Sequence, residues 1–589
     1  MYEILNTINS PADVKKLNAE QLKILAEDIR EALFNRLTKI GGHFGPNFGI
    51  VEAEIAMHYV FDSPKDKFVF DVSHQSYPHK MLTGRKAGYI NDACFKEDSG
   101  YTNPKESEHD LFNVGHTSTS VSLASGLVKA RDLKGEKYNV IALIGDGSLT
   151  GGEALEALDF AGSEIKSNFI IIVNDNQQAI AECHGGICEN LNELRASKGT
   201  SANNIFKAFG LDYIYEENGN DIEAMIKVLQ KVKDVDHPIV LHINTQKGKG
   251  YKLAEENRER WHWCLPFDKS TGKPTISFGN GENYTSLARD SIMNKAQSDK
   301  DFVVITPAMP MTAGLTPDLR AKLGAQYVDT GIAEEHAVAF ASGIAKAGGK
   351  PLVVTNSTFI QRTYDQVSQD VCINNNPVTI LLNYSSFDGL TDVTHLGIFT
   401  IAAFANIPNL VMLAPSSREE YLNMLEWSVE QTKHPVMILI PGNAVTSRTA
   451  DKNFDAINTF KIEKSGEKVA ILALGDFYQR GEELAQQIEE KLGFKPTLIN
   501  PRFASGIDEQ CLNDLKKNHQ LVITLEDGIL DGGFGQKIAS FYGTSEMKVM
   551  TYGLKKEFYD RYNPQELLES LGMTAKQIVE EIKKLNAKK

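Results

Sequence analysis

Two stretches of the chain decide its fold: Val140-Ile141-Ala142-Leu143-Ile144-Gly145-Asp146-Gly147-Ser148 and Phe169-Ile170-Ile171-Ile172-Val173-Asn174-Asp175-Asn176. Each begins with an apolar run without polar alternation, which is typical of a strand buried on both faces of a parallel sheet. Asp146 and Asn176 are 30 residues apart (176 − 146), which is enough for one strand–helix–strand unit. We therefore expect both polar ends at the sheet edge where open α/β folds bind ligands.

The same pattern of short apolar runs continues along the rest of the chain. Further apolar runs lie at residues 239–243, 302–305, 352–354, 378–382, 436–440, 469–474, 496–499 and 521–524. Before them, Leu17, Leu22, Leu25 and Ile29 recur at roughly helical spacing, which predicts an N-terminal helix. Polar stretches near 265–285 and 443–466 separate the runs into three sets. We predict an α/β protein of three consecutive open domains with mainly parallel sheets, at residues 1–275, 280–445 and 465–589.

Composition narrows the possible partners and the location. The 589 residues exceed what one hydrophobic core usually serves. With 62 basic and 77 acidic side chains the net charge is −15, which argues against nucleic acid or an anionic membrane as the partner. No apolar run approaches the ~20 residues of a membrane span, and the N-terminus lacks a signal-peptide pattern. The six cysteines make no disulfide framework, so we predict a cytoplasmic enzyme.

The ends of the two deciding strands carry a chemically specific pair. A carboxylate (Asp146) and an amide oxygen (Asn176) beside a glycine turn suit Mg²⁺ that holds a diphosphate, because Mg²⁺ prefers hard oxygen ligands shared with phosphate. Gly147 allows the backbone to approach the phosphates closely. The alternative interpretation is two ordinary turns at strand ends.

This Gly-Asp-Gly … Asn-Asp-Asn pairing resembles the thiamine diphosphate signature of the transketolase superfamily. The surrounding sequence resembles one family in it, the 1-deoxy-D-xylulose-5-phosphate synthases. The matching stretches are Gly41-Gly42-His43 and residues 70–85, 106–110, 115–120, 247–251, 331–338, 359–366, 526–528 and 532–535. The resemblance spans nearly the whole chain. It implies a transketolase-like fold, thiamine diphosphate and Mg²⁺ as cofactors, small-molecule substrates and a homodimer.

The resemblance also implies roles for individual residues. Glu334 is the acid beside the aminopyrimidine ring, and an apolar setting is expected to raise its pKa. Without the motif, Glu334 would be interpreted as a surface residue of a helix. The other implied cofactor-binding residues are His74, Gly115, His116, Thr117, Gly147, Ser148, Asn176, Lys247, Tyr251 and Phe359. For Phe359 alone, plain core packing is the alternative. The implied metal ligands are Asp146, Asn176 and Gln178, and the implied substrate-facing catalytic residues are His43, His262, His395 and Arg362.

The chain departs from the family where the family binds a substrate phosphate. Asn383-Tyr384-Ser385-Ser386 stands in place of Asp-Arg-Ala-Gly, and Ile440-Pro441-Gly442 lacks the arginine of Tyr-Pro-Arg-Gly. Asn356 replaces a tyrosine, and the segment between Asn176 and Lys247 is shorter than in the family. Because arginine–phosphate pairs are strong polar contacts, their loss is expected to weaken binding of a triose phosphate. Arg448 is a candidate substitute.

The implied reaction is decarboxylative ketol transfer, in which pyruvate and glyceraldehyde 3-phosphate give 1-deoxy-D-xylulose 5-phosphate and CO₂. Three alternatives stay open: a paralogue with a different, unphosphorylated aldehyde acceptor, a transketolase, and a catalytically silent regulator. Cys183, His184 and Cys188 form a small cluster that suggests a metal. Structural zinc usually needs four ligands and no second pair is nearby, so we predict a loop beside the active site instead.

Overall fold

The computed structural model describes residues 2–276, 282–442 and 444–587. The chain forms two compact units: residues 1–280 with 331–333 make unit 1, and residues 281–330 with 334–589 make unit 2. The predicted domain boundary at 280 and the chain ends at 1 and 589 lie outside the described residues. The three domain ranges stay a prediction.

Unit 1 is built on a parallel sheet of five strands in the order β2-β3-β4-β6-β5, with a separate pair, β1-β7. The strands are β1 (Gly42–His43), β2 (Lys67–Phe70), β3 (Val140–Gly145), β4 (Phe169–Asp175), β5 (Asp212–Glu216), β6 (Pro238–Asn244) and β7 (Trp263–Cys264). All seven residues of β4 are buried, as expected for a central strand covered on both faces. Gly145 of β3 pairs with Asn174 of β4, so the two polar strand ends lie side by side.

Helices cover both faces of this sheet. They are α1 (Pro11–Val14), α2 (Ala19–Ile40), α3 (Gly45–Val60), α4 (Tyr77–Lys80), α5 (Ala87–Ile90), α6 (Ser120–Lys134), α7 (Gly152–Glu164), α8 (Gly186–Ala196), α9 (Ile205–Ala208), α10 (Ile222–Val232) and α11 (Lys252–Glu256). The predicted N-terminal helix is confirmed as α2. It begins after Asn18, whose side chain accepts a hydrogen bond from the Gln21 N–H in a capping box, so Leu17 lies just outside it.

Unit 2 contains two further sheets. The first has the order β12-β13-β11-β10-β8-β9 and is parallel throughout; the second has the order β14-β16-β15-β17-β18, with only β14 antiparallel. The strands are β8 (Phe302–Thr306), β9 (Tyr327–Asp329), β10 (Lys350–Asn356), β11 (Thr379–Asn383), β12 (Val411–Leu413), β13 (Val436–Leu439), β14 (Lys461–Lys464), β15 (Lys468–Ala473), β16 (Thr497–Asn500), β17 (His519–Ile529) and β18 (Lys548–Leu554). The predicted α/β class with mainly parallel sheets is confirmed.

One hydrophobic cluster joins the two sheets of unit 2. It runs from Ile305 and Ala337 through Met412 to Leu472 and Phe534. The helices of unit 2 are α12 (Tyr284–Ser298), α13 (Pro317–Leu323), α14 (Glu334–Lys346), α15 (Thr400–Phe404), α16 (Arg418–Glu430), α17 (Tyr478–Leu492), α18 (Glu509–Leu515), α19 (Phe534–Tyr542), α20 (Pro564–Ser570) and α21 (Ala575–Ala587).

A buried charge network in unit 1 ties α4 to the segment before α6. The Asp110 carboxylate accepts two hydrogen bonds from the Arg85 guanidinium (2.6 and 2.8 Å) and lies 3.0 Å from the His79 ring. Burial alone would raise the pKa of Asp110, but the hydrogen bonds from His79 and Arg85 hold it well below its ordinary value. The ionised carboxylate therefore stabilises the folded state at neutral pH.

Replacing Asp110 by Asn is expected to lower the free energy of unfolding by about 3–5 kcal/mol at pH 7, because a buried arginine loses its partner. Since folding lowers the pKa of Asp110, its contribution is present above the ordinary carboxyl pKa and is lost as pH falls below it. Urea unfolding at pH 7 and at pH 3 measures this. Asp236→Asn, at the surface, is the control. Equal stability of Asp110→Asn and wild type at pH 7 would contradict the network's role.

Candidate active site

The turn after β3 places Asp146 at the carboxyl edge of the sheet in unit 1. The Asp146 side chain is 2% exposed, and its carboxylate accepts hydrogen bonds from the backbone N–H of Gly147 (2.9 Å) and of Gln178 (3.0 Å). The second contact brings the main chain of Gln178 to Asp146 across the ends of β3 and β4. Two of the three predicted metal ligands therefore lie together.

The third predicted ligand, Asn176, follows β4 and is also buried. Its Oδ1 atom has no hydrogen-bond partner within the described part of the chain. Burial and the nearby charge of Asp175 raise the pKa of Asp146 to about 8. A buried carboxylate and an orphaned amide oxygen both gain from a cation, so these residues fit a divalent metal with hard ligand preference.

Asp175, between them in sequence, has its carboxyl group within hydrogen-bond reach of that of Asp146, and it also contacts two basic side chains. Burial would raise its pKa, but the His242 ring (2.8 Å) and the Arg195 guanidinium lower it overall. The charge of Asp175 is thus compensated within the protein, whereas the ionised form of Asp146 would be favoured by a bound cation.

Lys247, which follows β6, completes this edge of the sheet. Its Nζ donates to the carbonyl of Ala179 (2.7 Å), and burial lowers its pKa to about 7 although Asp146 opposes the shift. A Cβ on Gly147 would lie 2.7 Å from the Cβ of Ala179 and 2.8 Å from its Cα, so only glycine fits between the turn and this loop. The glycine of the motif is required by packing as well as by any ligand.

The predicted cofactor loop lies beside the same turn. Asp71, at the end of β2, accepts hydrogen bonds from the N–H groups of Ser118 (2.9 Å) and Ser120 (3.0 Å), and the Ser118 hydroxyl donates to the Ser148 carbonyl. These bonds fix the chain immediately after Thr117. Gly115 is buried and His116 and Thr117 are half-buried in this loop. Asp71 was not singled out from the sequence, although it lies in the matching stretch 70–85.

Three of the predicted histidines form one cluster in unit 1. Pairing of β1 with β7 brings His43 to the segment that carries His262, with ring centroids 5.6 Å apart. The His74 ring lies 5.1 Å from His43 and 5.3 Å from His262. Burial, then Lys247, lowers the pKa of His262 well below its ordinary value. His262 is therefore a neutral imidazole, able to donate or accept a hydrogen bond.

Tyr251 has a different environment from the histidines. Its ring packs with Phe34, Phe44, Trp261 and Phe267, and its hydroxyl donates to the carbonyl of Lys269. The structure thus gives Tyr251 a packing role, and its part in cofactor binding stays a prediction.

Glu334 is the first residue of α14 in unit 2. The side chain is 5% exposed, and burial raises its pKa to about 7 although the Arg362 guanidinium, 3.7 Å away, opposes the shift. Glu334 is thus buried, as predicted from the apolar residues around it, and not at the surface. A carboxyl group with such a pKa can hold or release a proton near neutral pH.

Phe359 and Arg362 lie on one short 3₁₀ turn after β10, Phe359–Thr363. The Phe359 ring is in edge contact with the His395 ring, with centroids 5.6 Å apart. Burial lowers the pKa of His395 to about 4. Unit 2 therefore brings together all four site residues predicted in it: Glu334, Arg362, Phe359 and His395.

The positions that depart from the family lie at strand ends of unit 2. Asn356 ends β10, and no described residue pairs with its buried Oδ1. Tyr384 follows β11 with a φ of +56° and is 40% exposed. Arg448, the candidate substitute for the lost arginines, pairs with Glu482 and stacks on Tyr478 at 4.7 Å. Both of these partners lie on α17, so the Arg448 side chain is held against that helix.

Cys183 and Cys188 are joined by a disulfide. Both stand out in the sequence, but no bond between them was predicted; their spacing of five residues with two glycines between was the available signal. In the part of the chain that the structure describes, no helix is long and apolar enough to cross a membrane.

Family models match most of the chain. The family model described as 1-deoxy-D-xylulose-5-phosphate synthase matches residues 5–203 and 197–245. Those of the transketolase pyrimidine-binding and C-terminal domains match residues 283–447 and 458–578.

Curated relatives give the same result. The 1-deoxy-D-xylulose-5-phosphate synthase of Alkaliphilus oremlandii is 37% identical over 625 residues, which cover 99% of both chains. That of Clostridium beijerinckii is 37% identical over 619 residues, again 99% of both. Fold and comparisons define the class, a thiamine diphosphate-dependent transferase of the transketolase type. Within this class, the chain belongs to the 1-deoxy-D-xylulose-5-phosphate synthase family.

Proposed function

We propose that this enzyme decarboxylates a 2-oxo acid such as pyruvate and transfers the remaining acyl unit to an aldehyde. With glyceraldehyde 3-phosphate as acceptor the product is 1-deoxy-D-xylulose 5-phosphate. The observation that carries the proposal is Glu334, a carboxyl buried at the start of a helix with its pKa raised to about 7. Thiamine diphosphate, when bound, supplies the nucleophilic carbon for this chemistry.

The residues of unit 1 suit the diphosphate end of the cofactor. Asp146, Asn176 and the main chain of Gln178 would hold Mg²⁺, since they offer oxygen ligands and Asn176 Oδ1 lacks another described partner. Lys247 would offset the diphosphate charge, because its ammonium group lies buried beside the same loop. His43, His74 and His262 would orient polar groups of the substrates, as clustered imidazoles able to donate or accept hydrogen bonds.

In unit 2, Glu334 would hold the proton that is shared with the cofactor ring. Arg362, 3.7 Å from it, would keep the carboxyl group from gaining too high a pKa. His395 would act as a neutral hydrogen-bonding group, because burial lowers its pKa to about 4. Phe359 would offer the flat ring against which an aromatic heterocycle packs.

A second candidate function uses an unphosphorylated aldehyde acceptor. Three arginines of unit 2 are candidates for binding a substrate phosphate, and each lies near a carboxylate. The pairs are Arg362 with Glu334, Arg480 with Asp388 (3.8 Å) and Arg448 with Glu482. A phosphate dianion would have to compete with these carboxylates. A neutral hydroxyaldehyde would not, so this arrangement favours it.

CO₂ release from pyruvate, with Mg²⁺ and thiamine diphosphate, tests both candidates. Stimulation by glyceraldehyde 3-phosphate with formation of a ketose phosphate is the result expected for the synthase. Stimulation by D-glyceraldehyde alone is expected for the neutral acceptor. Consumption of a ketose phosphate without CO₂ would indicate a transketolase, and absence of cofactor binding would indicate a silent regulator.

We also propose a homodimer, as the superfamily implies, which light scattering of the purified protein tests directly. The cytoplasmic location and the absence of nucleic-acid and membrane partners stay predictions from the sequence.

A further inference from the structure

The loop of residues 177–185 connects β4 to α8 and contacts the proposed metal and diphosphate site at two points. The N–H of Gln178 donates to Asp146 (3.0 Å), and the carbonyl of Ala179 accepts from Lys247 Nζ (2.7 Å). The loop folds back on itself, because the N–H of Cys183 donates to the carbonyl of Gln177 and Gln178 forms a bridge with Glu182. The conformation of this loop therefore positions Gln178 and Ala179 at the site.

The Cys183–Cys188 disulfide closes the far end of the same loop. Cys188 is 4% exposed on α8 and is held there by the packing of that helix. Helix α8 is itself tied to the sheet edge, since Arg195 pairs with Asp175, the neighbour of Asn176. The disulfide thus fastens a loop with exposed residues at its tip to an element that is rigidly joined to the metal site.

We infer that Cys183–Cys188 is a reversible redox site that sets the affinity of the enzyme for Mg²⁺ and thiamine diphosphate. This inference rests on the proposed function. A dithiol reductant passes two electrons and two protons to the bond: its thiolate attacks Cys183 and forms a mixed disulfide, and its second thiol then resolves it. The products are the free thiols of Cys183 and Cys188 and the oxidised dithiol.

Access to the bond is compatible with this exchange. Cys183 is half-buried and its neighbours Glu182, His184 and Gly185 are exposed, so a small dithiol can approach from that side. Cys188, in contrast, is buried and would keep its place in α8 after reduction. The four remaining cysteines, Cys94, Cys264, Cys372 and Cys511, have free thiols, which makes the bond chemically distinct within the chain.

Reduction would weaken cofactor binding because the loop would lose its covalent attachment to α8. The two bonds at Asp146 and Lys247 would then have to order the loop without that constraint. Groups that orient metal ligands typically change metal affinity by 10–100-fold when they are removed, so we expect a loss of about tenfold.

The test compares oxidised and dithiothreitol-reduced enzyme by calorimetric titration of thiamine diphosphate in the presence of Mg²⁺. Peptide mapping after alkylation counts the thiols in each state. We expect about tenfold weaker binding after reduction. A double variant, Cys183→Ser with Cys188→Ser, should bind like the reduced wild type in both conditions. Cys94→Ser, which removes a free thiol of the same unit, should respond to reduction like the wild type.

The outcomes separate this inference from the proposed function. Cofactor binding of equal affinity in both states, or free thiols at both cysteines after oxidation, overturns the redox site and leaves the proposed function standing. Loss of all cofactor binding in every sample, oxidised wild type included, contradicts the proposed function itself. Limited proteolysis of loop 177–185 gives a readout independent of the cofactor: cleavage there should increase on reduction in wild type and not in the double variant.

Discussion

Replacing Glu334 by Gln is expected to lower the turnover of pyruvate by about 10²–10⁴-fold, the usual contribution of a positioned acid or base. The glutamine has nearly the same shape and size, so the packing at the start of α14 should persist. It has no carboxyl proton to share, and it removes the partner of Arg362. The measurement is CO₂ release under saturating cofactor and Mg²⁺.

The matched control is Glu335→Gln, the neighbouring and less buried carboxyl of the same helix turn. It should keep near-wild-type turnover. Undiminished turnover in Glu334→Gln would remove Glu334 from the mechanism and with it the observation on which the proposed function rests.

A second readout for Glu334→Gln does not depend on activity. Burial raises the pKa of Glu334 to about 7, so the folded state holds a proton there that the unfolded chain has lost between about pH 4 and 7. The stability of the wild type should therefore fall as pH rises through this range. The glutamine has no carboxyl group to ionise, so the stability of the variant should not fall for this reason. In urea unfolding experiments the variant should be more stable than wild type at pH 8 and similar to it near pH 4.

The central strands of the three large sheets were predictable because central parallel strands are nearly all apolar. The apolar runs alone predicted strands at Val140–Ile144 and Phe169–Val173. In the structure the first strand is one residue longer and the second is two residues longer. The six edge strands β2, β5, β9, β12, β14 and β18 were missed; β5 (Asp212–Glu216), for example, has charged residues at both ends and no continuous aliphatic run. The two-residue strands β1 and β7 are too short for any periodicity.

The site was predictable where local sequence determines it and not where distant contacts do. Asp146 and Gly147 follow a strand, so their position is fixed by the fold class. The meeting of His43 with His262 depends on a strand pairing over more than 200 residues, and only the resemblance indicated it. Likewise Asp71, which fixes the chain after Thr117, was not singled out, because its partners Ser118 and Ser120 lie more than 40 residues further along the chain.

Replacing Asp146 by Asn is expected to weaken Mg²⁺-dependent binding of thiamine diphosphate by at least about 100-fold. Loss of groups that only orient ligands already costs 10–100-fold, and Asp146 is proposed as a ligand itself. The side chain keeps one oxygen for the Gly147 N–H, but it loses the negative charge that a divalent cation needs. Its amide group also faces the Gln178 N–H, which donated to the second carboxylate oxygen.

Thermal unfolding with and without ligands shows whether this effect belongs to the site or to the fold. Mg²⁺ and thiamine diphosphate should raise the Tm of the wild type, since a ligand that binds only the folded state stabilises it. Asp146→Asn should lose that rise. Without ligands its Tm should lie close to that of the wild type, because relief of the repulsion from Asp175 offsets the lost hydrogen bond from the Gln178 N–H. Asp159→Asn, an exposed carboxylate on α7, should keep the full rise. An equal ligand-induced rise in Asp146→Asn would mean that the metal binds elsewhere, whereas a lower Tm without ligands would mean that Asp146 serves the fold.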